Sequence, residues 1–220
     1  MNEKFFDLRK EKQDRMISGF VKVFARKGYA DASCEELARE AGISKGLLFH
    51  YFETKQGAYL FLCGVLYRYL EMEVGSRIPH RPADPFTVME QVQTGLCEIM
   101  RHYPYAGLFV FRLEADAPEE LPEGAQEYRE RCGAFCAQVR KAMDFSGIPR
   151  RIGSERLLRI LKTGCRGLIT EMLETGEKSG HAQGAPAGEI FDAGLFRKES
   201  GIYLELLALS VGSVGGVSPL

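Results

Sequence analysis

The chain has 220 residues, 45% of them hydrophobic and 27% charged, with a net charge of −1. That balance fits an ordinary globular protein, and apolar stretches such as 206–211 are far too short to span a bilayer. The opening Met1-Asn2-Glu3-Lys4 lacks the apolar core of a secretory signal, so a cytoplasmic protein without membrane contact is expected. Residues 1–55 carry 11 Lys+Arg against 9 Asp+Glu, and the remainder 18 against 21. An asymmetry this small neither requires nor excludes a nucleic-acid partner.

Met16, Phe20, Val23 and Phe24 recur at helical spacing and predict a first helix over 7–27, stopped at Gly28. Ser33-Cys34-Glu35-Glu36 forms an S-x-x-E capping box that opens a second, shorter helix ending before Gly42. Ser44 caps a third through about Tyr51, and Thr54 a fourth that carries Tyr59, Leu62, Val65, Leu66 and Tyr69 to about Gly75. Three prolines within 78–85 break the chain. Phe86, Met89, Val92, Leu96, Ile99 and Tyr103 then outline a fifth helix, and Pro104 starts a short aromatic sixth. After a loop over 117–122, Tyr128, Cys132, Phe135, Val139 and Met143 mark a seventh. An eighth over 154–177 shows Leu157, Leu161, Leu168 and Met172 on its apolar face. A Gly-rich stretch at 179–188 reads as a flexible loop, 189–209 as a ninth helix and 211–220 as a frayed tail. No strand pattern competes, so the fold class is all-α with about nine helices.

Six cysteines lie without a C-x2-C pair, and read as small buried apolar residues in a reducing compartment. Cys132 and Cys136 share a helical face, but no third ligand completes a metal set. Cys34, in the first turn of a helix, is the more reactive in principle. No Gly-rich phosphate loop, G-x-S-x-G elbow or metal spacing is found, so neither an enzyme nor a cofactor is expected.

The segment 33–52 is the most informative. Ala38 is small where two short helices cross, Gly42 suits a tight turn, and Leu37, Ile43 and Leu48 lock the pair onto the first helix. Ser44 then restarts the chain and leaves Lys45, Gly46 and an outward helix face free to approach DNA. In a helix-turn-helix that second helix enters the major groove. Lys45 is the best base or phosphate contact, Gly46 permits close backbone approach, and His50 and Tyr51 suit phosphate. Lys55, with the helix start after Thr54, adds a phosphate site, and Ser33 serves as both cap and phosphate contact. Phe49 and Phe52 read as core, and Arg9, Lys10 and Lys12 as a basic arm or a solvated start.

The run Ile43-Ser44-Lys45-Gly46-Leu47-Leu48-Phe49-His50-Tyr51-Phe52-Glu53-Thr54-Lys55 resembles the TetR family of transcriptional regulators. Ser33, Gly28-Tyr29 and the stretch from Met16 to Leu62 agree with its pattern, while Leu47 departs from a commonly polar position and suits a thymine methyl instead. The resemblance implies a three-helix DNA-binding domain over 1–54 and a helical ligand-binding and dimerisation domain over 55–210. It further implies a repressor that binds a palindromic operator in double-stranded DNA as a homodimer, paired through helices eight and nine and released by a small molecule. The region 100–111 is rich in Met, Tyr and Phe, as pockets for largely apolar effectors are. Met100, Tyr103, Phe109, Tyr128, Phe135 and Met172 are the effector-contact candidates, and Glu98, Glu114 and Glu171 would suit a cationic ligand if buried. The alternative is a regulator of the same kind without an inducer, controlled by protein contacts or by oxidation of Cys34.

Overall fold

The structure, a computed structural model, describes residues 3–178 and 190–212. The expected loop at 179–188, the start of the ninth helix at Glu189 and the tail from 213 on lie outside the described residues. Among these residues the fold is all-α, with nine α-helices. They are α1 (Lys10–Asp31), α2 (Cys34–Glu40), α3 (Lys45–Phe52), α4 (Lys55–Tyr69), α5 (Pro85–His102), α6 (Ala106–Ala115), α7 (Ala125–Lys141), α8 (Ser154–Gly176) and α9 (Ala193–Val211). None of the described helices is long and apolar enough to cross a membrane. The chain divides into two compact units, one of Met1–Tyr69 with His102–Gly133, the other of Leu70–Arg101 with Ala134–Leu220.

In the first unit α1 is the central element, lying against α2, α4 and α6. Its stripe of Met16, Ile17, Phe20, Val21 and Phe24 is buried, and each such side chain contributes roughly 1.5–3 kcal/mol. The helix starts three residues later than the periodicity predicts, because the chain before it folds back. The Gln13 side-chain amide donates to the carbonyls of Phe6 (3.1 Å) and Leu8 (2.8 Å), which holds that segment in place. Gly28 does interrupt α1, with φ 79° and ψ 178°, although one further helical turn carries the chain to Asp31.

Two cations close that interrupted end. Lys55 of α4 donates to the carbonyls of Tyr29 (2.8 Å), Ala32 (3.0 Å) and Ala30 (3.3 Å). Arg112 of α6 donates to those of Arg26 (3.1 Å) and Lys27 (3.2 Å) while paired with Asp116. A positive charge at the carbonyl end of a helix is favourable for the helix dipole as well as for the hydrogen bonds.

In the second unit the α-helical path ends sooner than the expected 75. Leu70–Val74 winds as a π-turn and Gly75–Arg77 as a 3₁₀ turn. This displaced backbone lies against Gly95 of α5, where a Cβ would come within 2.6 Å of the Glu73 carbonyl oxygen. The Asp84 carboxylate caps α5 by accepting from the Phe86 N–H at 2.9 Å, with Pro85 in the first helical position. Helices α8 and α9 pair side by side. The buried face of α8 is Leu157, Leu161, Cys165, Ile169 and Leu173, so Leu168 and Met172 lie half-buried at its margin. The i+4 progression through Cys165 and Ile169 displaces the leucine-based face that the sequence suggests. The cysteines divide likewise: Cys63, Cys97, Cys132 and Cys165 are buried, Cys34 is half-buried, and Cys136 is exposed although it shares a helix with Cys132. The buried stripe of α7 continues from Cys132 through Phe135, three residues on, and Cys136 lies beside it.

Candidate nucleic-acid interface

Helices α2 and α3 are each opened by a serine. Ser33 Oγ accepts from the Glu36 N–H at 3.2 Å while the Glu36 carboxylate accepts from the Ser33 N–H at 3.3 Å, completing the capping box. Ser44 Oγ accepts from the Leu47 N–H at 3.2 Å. Between them Gly42 takes φ 64°, a left-handed conformation that a side chain would strain. The Ile43 N–H returns to the Ala38 carbonyl at 2.9 Å and fixes the angle between the helices. Leu37 and Leu48 are fully buried, Ala38 is buried, and Ile43 is half-buried.

This anchoring divides α3 into two faces. Leu48, Tyr51 and Phe52 point into the protein, whereas Lys45, Gly46, Phe49 and His50 are exposed and Leu47 is half-buried. Phe49 therefore departs from the core role that its residue type suggests. It stands one turn after Lys45, on the outward face. Gly46 sits in the middle of that face, and a Cβ there would meet nothing nearer than Ser44 Oγ at 3.9 Å. Among the described residues nothing requires a glycine at this position.

Tyr51 is held differently from its neighbours. Its ring is 7% exposed and lies edge-on to Phe5 at 6.1 Å and to His50 at 5.1 Å. Phe5, 1% exposed, also meets Phe52 at 5.3 Å and Phe61 at 5.1 Å. The segment before α1 thus braces the inner side of α3 through Phe5, a residue with no periodic signal in the sequence. Such rings at 5–6 Å add to simple burial.

The charges of this region are mostly paired within it. Lys45 pairs with Glu35, Lys27 with Glu36, and Lys22 with Glu40 at 2.8 Å. The shared hydrogen bond holds Glu35 below the usual carboxylate range and raises Lys45, so both stay charged. Lys10 pairs with Asp14 at 2.8 Å. Lys55, besides its three carbonyls, lies 4.4 Å over the Tyr29 ring. Ser33 is half-buried and Ser44 exposed, each with its oxygen engaged in a cap.

The expected effector contacts are divided between the two units. Tyr103, Phe109 and Tyr128 belong to the first unit, Met100, Phe135 and Met172 to the second. The Tyr103 hydroxyl donates to Asp14 at 2.7 Å, Phe109 lies 5.3 Å from Tyr59, and Tyr128 sits over Gly64. Burial pushes the Tyr103 hydroxyl well above the ordinary tyrosine range, as befits a neutral donor. Met100 is fully buried, Phe135 lies against Gly75, and Met172 is half-buried.

Comparison with known proteins places this geometry. Residues 17–59 match the family described as bacterial regulatory proteins, tetR family. An uncharacterized HTH-type transcriptional regulator of Bacillus subtilis, YerO, is 40% identical over 53 residues, 24% of this chain and 18% of its own length. A second from the same organism, YuxN, is 29% identical over 122 residues, 55% of this chain and 42% of its own. The matches thus take in under half the length of either relative. Among solved structures, a TetR family transcriptional regulator from Chloroflexus aurantiacus is similar with a TM-score of 0.60 at 20% identity, covering 95% of this chain and 97% of that one. A TetR-like regulator from Rhodococcus sp. RHA1 gives 0.51 at 14% identity, covering 94% and 99%. These two support the all-α fold over nearly the whole length.

Proposed function

The chain belongs to the TetR family of bacterial transcriptional regulators, and from that premise we propose that it is a homodimeric repressor released from its operator by a small molecule. The division at residue 54 is then functional: residues 1–54 bind DNA, and 55–210 bind the effector and pair the subunits. The observation that carries the reading is the outward face of α3. Four positions on two consecutive turns are exposed on a helix whose other face is locked by Leu48 and Phe52, and among the described residues nothing requires the glycine among them. An exposed helix end with an open backbone and a lysine suits the major groove.

In this reading Lys45 exchanges Glu35 for a base edge or phosphate. Both partners of that pair are exposed, so the exchange costs little. Leu47 and Phe49 suit thymine methyls, His50 and the Tyr51 hydroxyl suit phosphate, and Ser33 and Ser44 present helix starts to the same backbone. Lys55 reaches a phosphate only by surrendering one of its three carbonyls, so its effect on binding is smaller than that of Lys45. Dimerisation through α8 and α9 is supported by their surfaces. Of the eight exposed large hydrophobic residues among those described, five (Ile160, Leu195, Ile202, Leu206 and Leu209) lie on these two helices. A two-fold pair would offer two α3 helices to grooves about 34–36 Å apart. An effector that favours a conformation with the wrong spacing weakens DNA binding by the factor by which DNA weakens effector binding.

The test is an electrophoretic shift with DNA from upstream of the protein's own gene, across a salt series. Specific, steeply salt-dependent binding is expected, and sequence-blind binding would overturn the reading. Lys45→Ala and Tyr51→Phe should weaken the shift with unchanged melting, the phenylalanine sparing the packed ring. Leu206→Lys with Leu209→Lys should yield a monomer by sedimentation.

A further inference from the structure

Helix α5 buries Met89, Leu96, Cys97 and Met100 along one stripe, and the stripe contains a polar residue, Gln93. Its side chain is 2% exposed, and neither Nε2 nor Oε1 has a hydrogen-bond partner among the described residues. The other polar groups of this interior are accounted for. Ser200, the second buried polar residue, donates to the Arg197 carbonyl at 3.1 Å, and Cys97 Sγ to that of Ala193 at 3.4 Å. Beside Gln93 lies the thiol of Cys165, between Leu161 and Ile169 on α8. Burial pushes that thiol up to about 12, so it stays neutral. The Gln93 amide and this thiol are in contact, but a thiol is a weak partner for an amide, and the contact leaves both amide atoms short of a full hydrogen bond.

A buried amide left this way is destabilising, and proteins retain such groups where they have a use. A primary amide presents an acceptor and a donor side by side, a pattern matched by a ligand that offers both in return. The set of buried side chains described here contains no charged residue. The charges near the end of α5, Glu98 with Arg101 and Arg197, are paired with one another. A charged ligand group at Gln93 would therefore be desolvated without a counter-charge. We propose that Gln93 anchors a binding site within this unit for an apolar small molecule bearing one uncharged donor–acceptor group, as in a primary amide or lactam. The site deepens the effector-released reading above and rests on it. Gln93 was missed by the sequence analysis, although one signal existed: a lone glutamine on the apolar stripe of a strongly amphipathic helix.

The experiment compares full-length wild type with Gln93→Leu and, as a second variant, Gln93→Met. Melting is followed alone and with octanamide, 1-octanol or octanoate, and operator binding is measured on the same samples. Without ligand both variants should melt higher than wild type, because an unpartnered amide has been replaced by an apolar chain of similar size. Octanamide should raise the melting temperature of wild type more than octanol does. Octanoate should have no effect, and both variants should lose the octanamide response by about tenfold or more in affinity. The proposal is overturned if the variants melt lower, which would mean that a water molecule or Cys165 satisfies the amide. It is equally overturned if octanamide acts the same on all three proteins or on none. If operator binding is intact in those cases, the anchor alone fails; if wild type binds no operator, the regulator reading fails independently.

Discussion

The helix-turn-helix of the first unit and the α5–α8–α9 interior of the second are both well buried, yet they are built on different principles. In the first, single positions have single solutions: Gly42 for its φ, Ser33 and Ser44 for caps, Lys55 for three carbonyls. In the second, the helices are defined by apolar residues such as Leu161, Ile169 and Leu204, which differ in shape but share a solvent preference. The comparison teaches that a motif recognisable at low similarity is one in which geometry rather than hydrophobicity limits the choice of residue.

Adding one methyl group to the first region tests this most severely. A Cβ on Gly19 of α1 would lie 2.6 Å from the Ala41 nitrogen and 2.6 Å from the Glu40 carbonyl carbon. Both are backbone atoms at the turn between α2 and α3, so no rotamer change relieves the contact. Gly19→Ala is expected to cost about 1–3 kcal/mol in denaturant unfolding, with operator binding lost in parallel. A wild-type midpoint would show that the α1–α2 approach is looser than described.

The matching change in the second region is Ile169→Leu, at a residue that is fully buried on α8. Its volume is conserved, and the expected cost is below about 1.5 kcal/mol. If this isomer swap proves as damaging as the methyl on Gly19, the contrast between the two regions collapses.

How much was legible follows the same division. The capping box at Ser33, the cap at Ser44 and the turn at Gly42 are local, so a few adjacent residues state them completely. The outward position of Phe49 and the bracing role of Phe5 depend on what arrives from elsewhere in the chain, and no local pattern announces either. The buried face of α8 follows the i+4 step through Cys165 and Ile169, which the spacing of its leucines alone does not reveal. Gly19 and Lys55 belong to the same class: their duties are set by the backbone atoms they meet, 21–22 and 23–26 residues away.

A smaller effect is expected at the exposed pair of Lys45 with Glu35, where both side chains are at least half exposed. Glu35→Gln removes the competitor for the Lys45 ammonium and leaves its length unchanged. Operator affinity should rise by no more than about fivefold, because an exposed ion pair contributes little. Stability should change little. Unchanged affinity, measured at low salt where screening is weakest, would indicate that Lys45 does not exchange partners on binding DNA.

Gly46→Ala makes the smallest structural change and has the most telling sign. The position is exposed, helical and open, with 3.9 Å to the nearest atom a Cβ would meet. Alanine restricts the unfolded chain more than glycine and favours helix by up to about 1 kcal/mol, so the substituted protein should unfold at slightly higher denaturant. If the α3 backbone approaches the DNA closely at this point, the same methyl must push it away. Operator affinity should then fall while stability rises. Two effects of opposite sign cannot both come from a disturbed fold, so their joint appearance would assign the glycine to the interface. A parallel gain in stability and affinity would instead place DNA on some other part of the α3 surface, with Lys45 and His50 reaching it from the side.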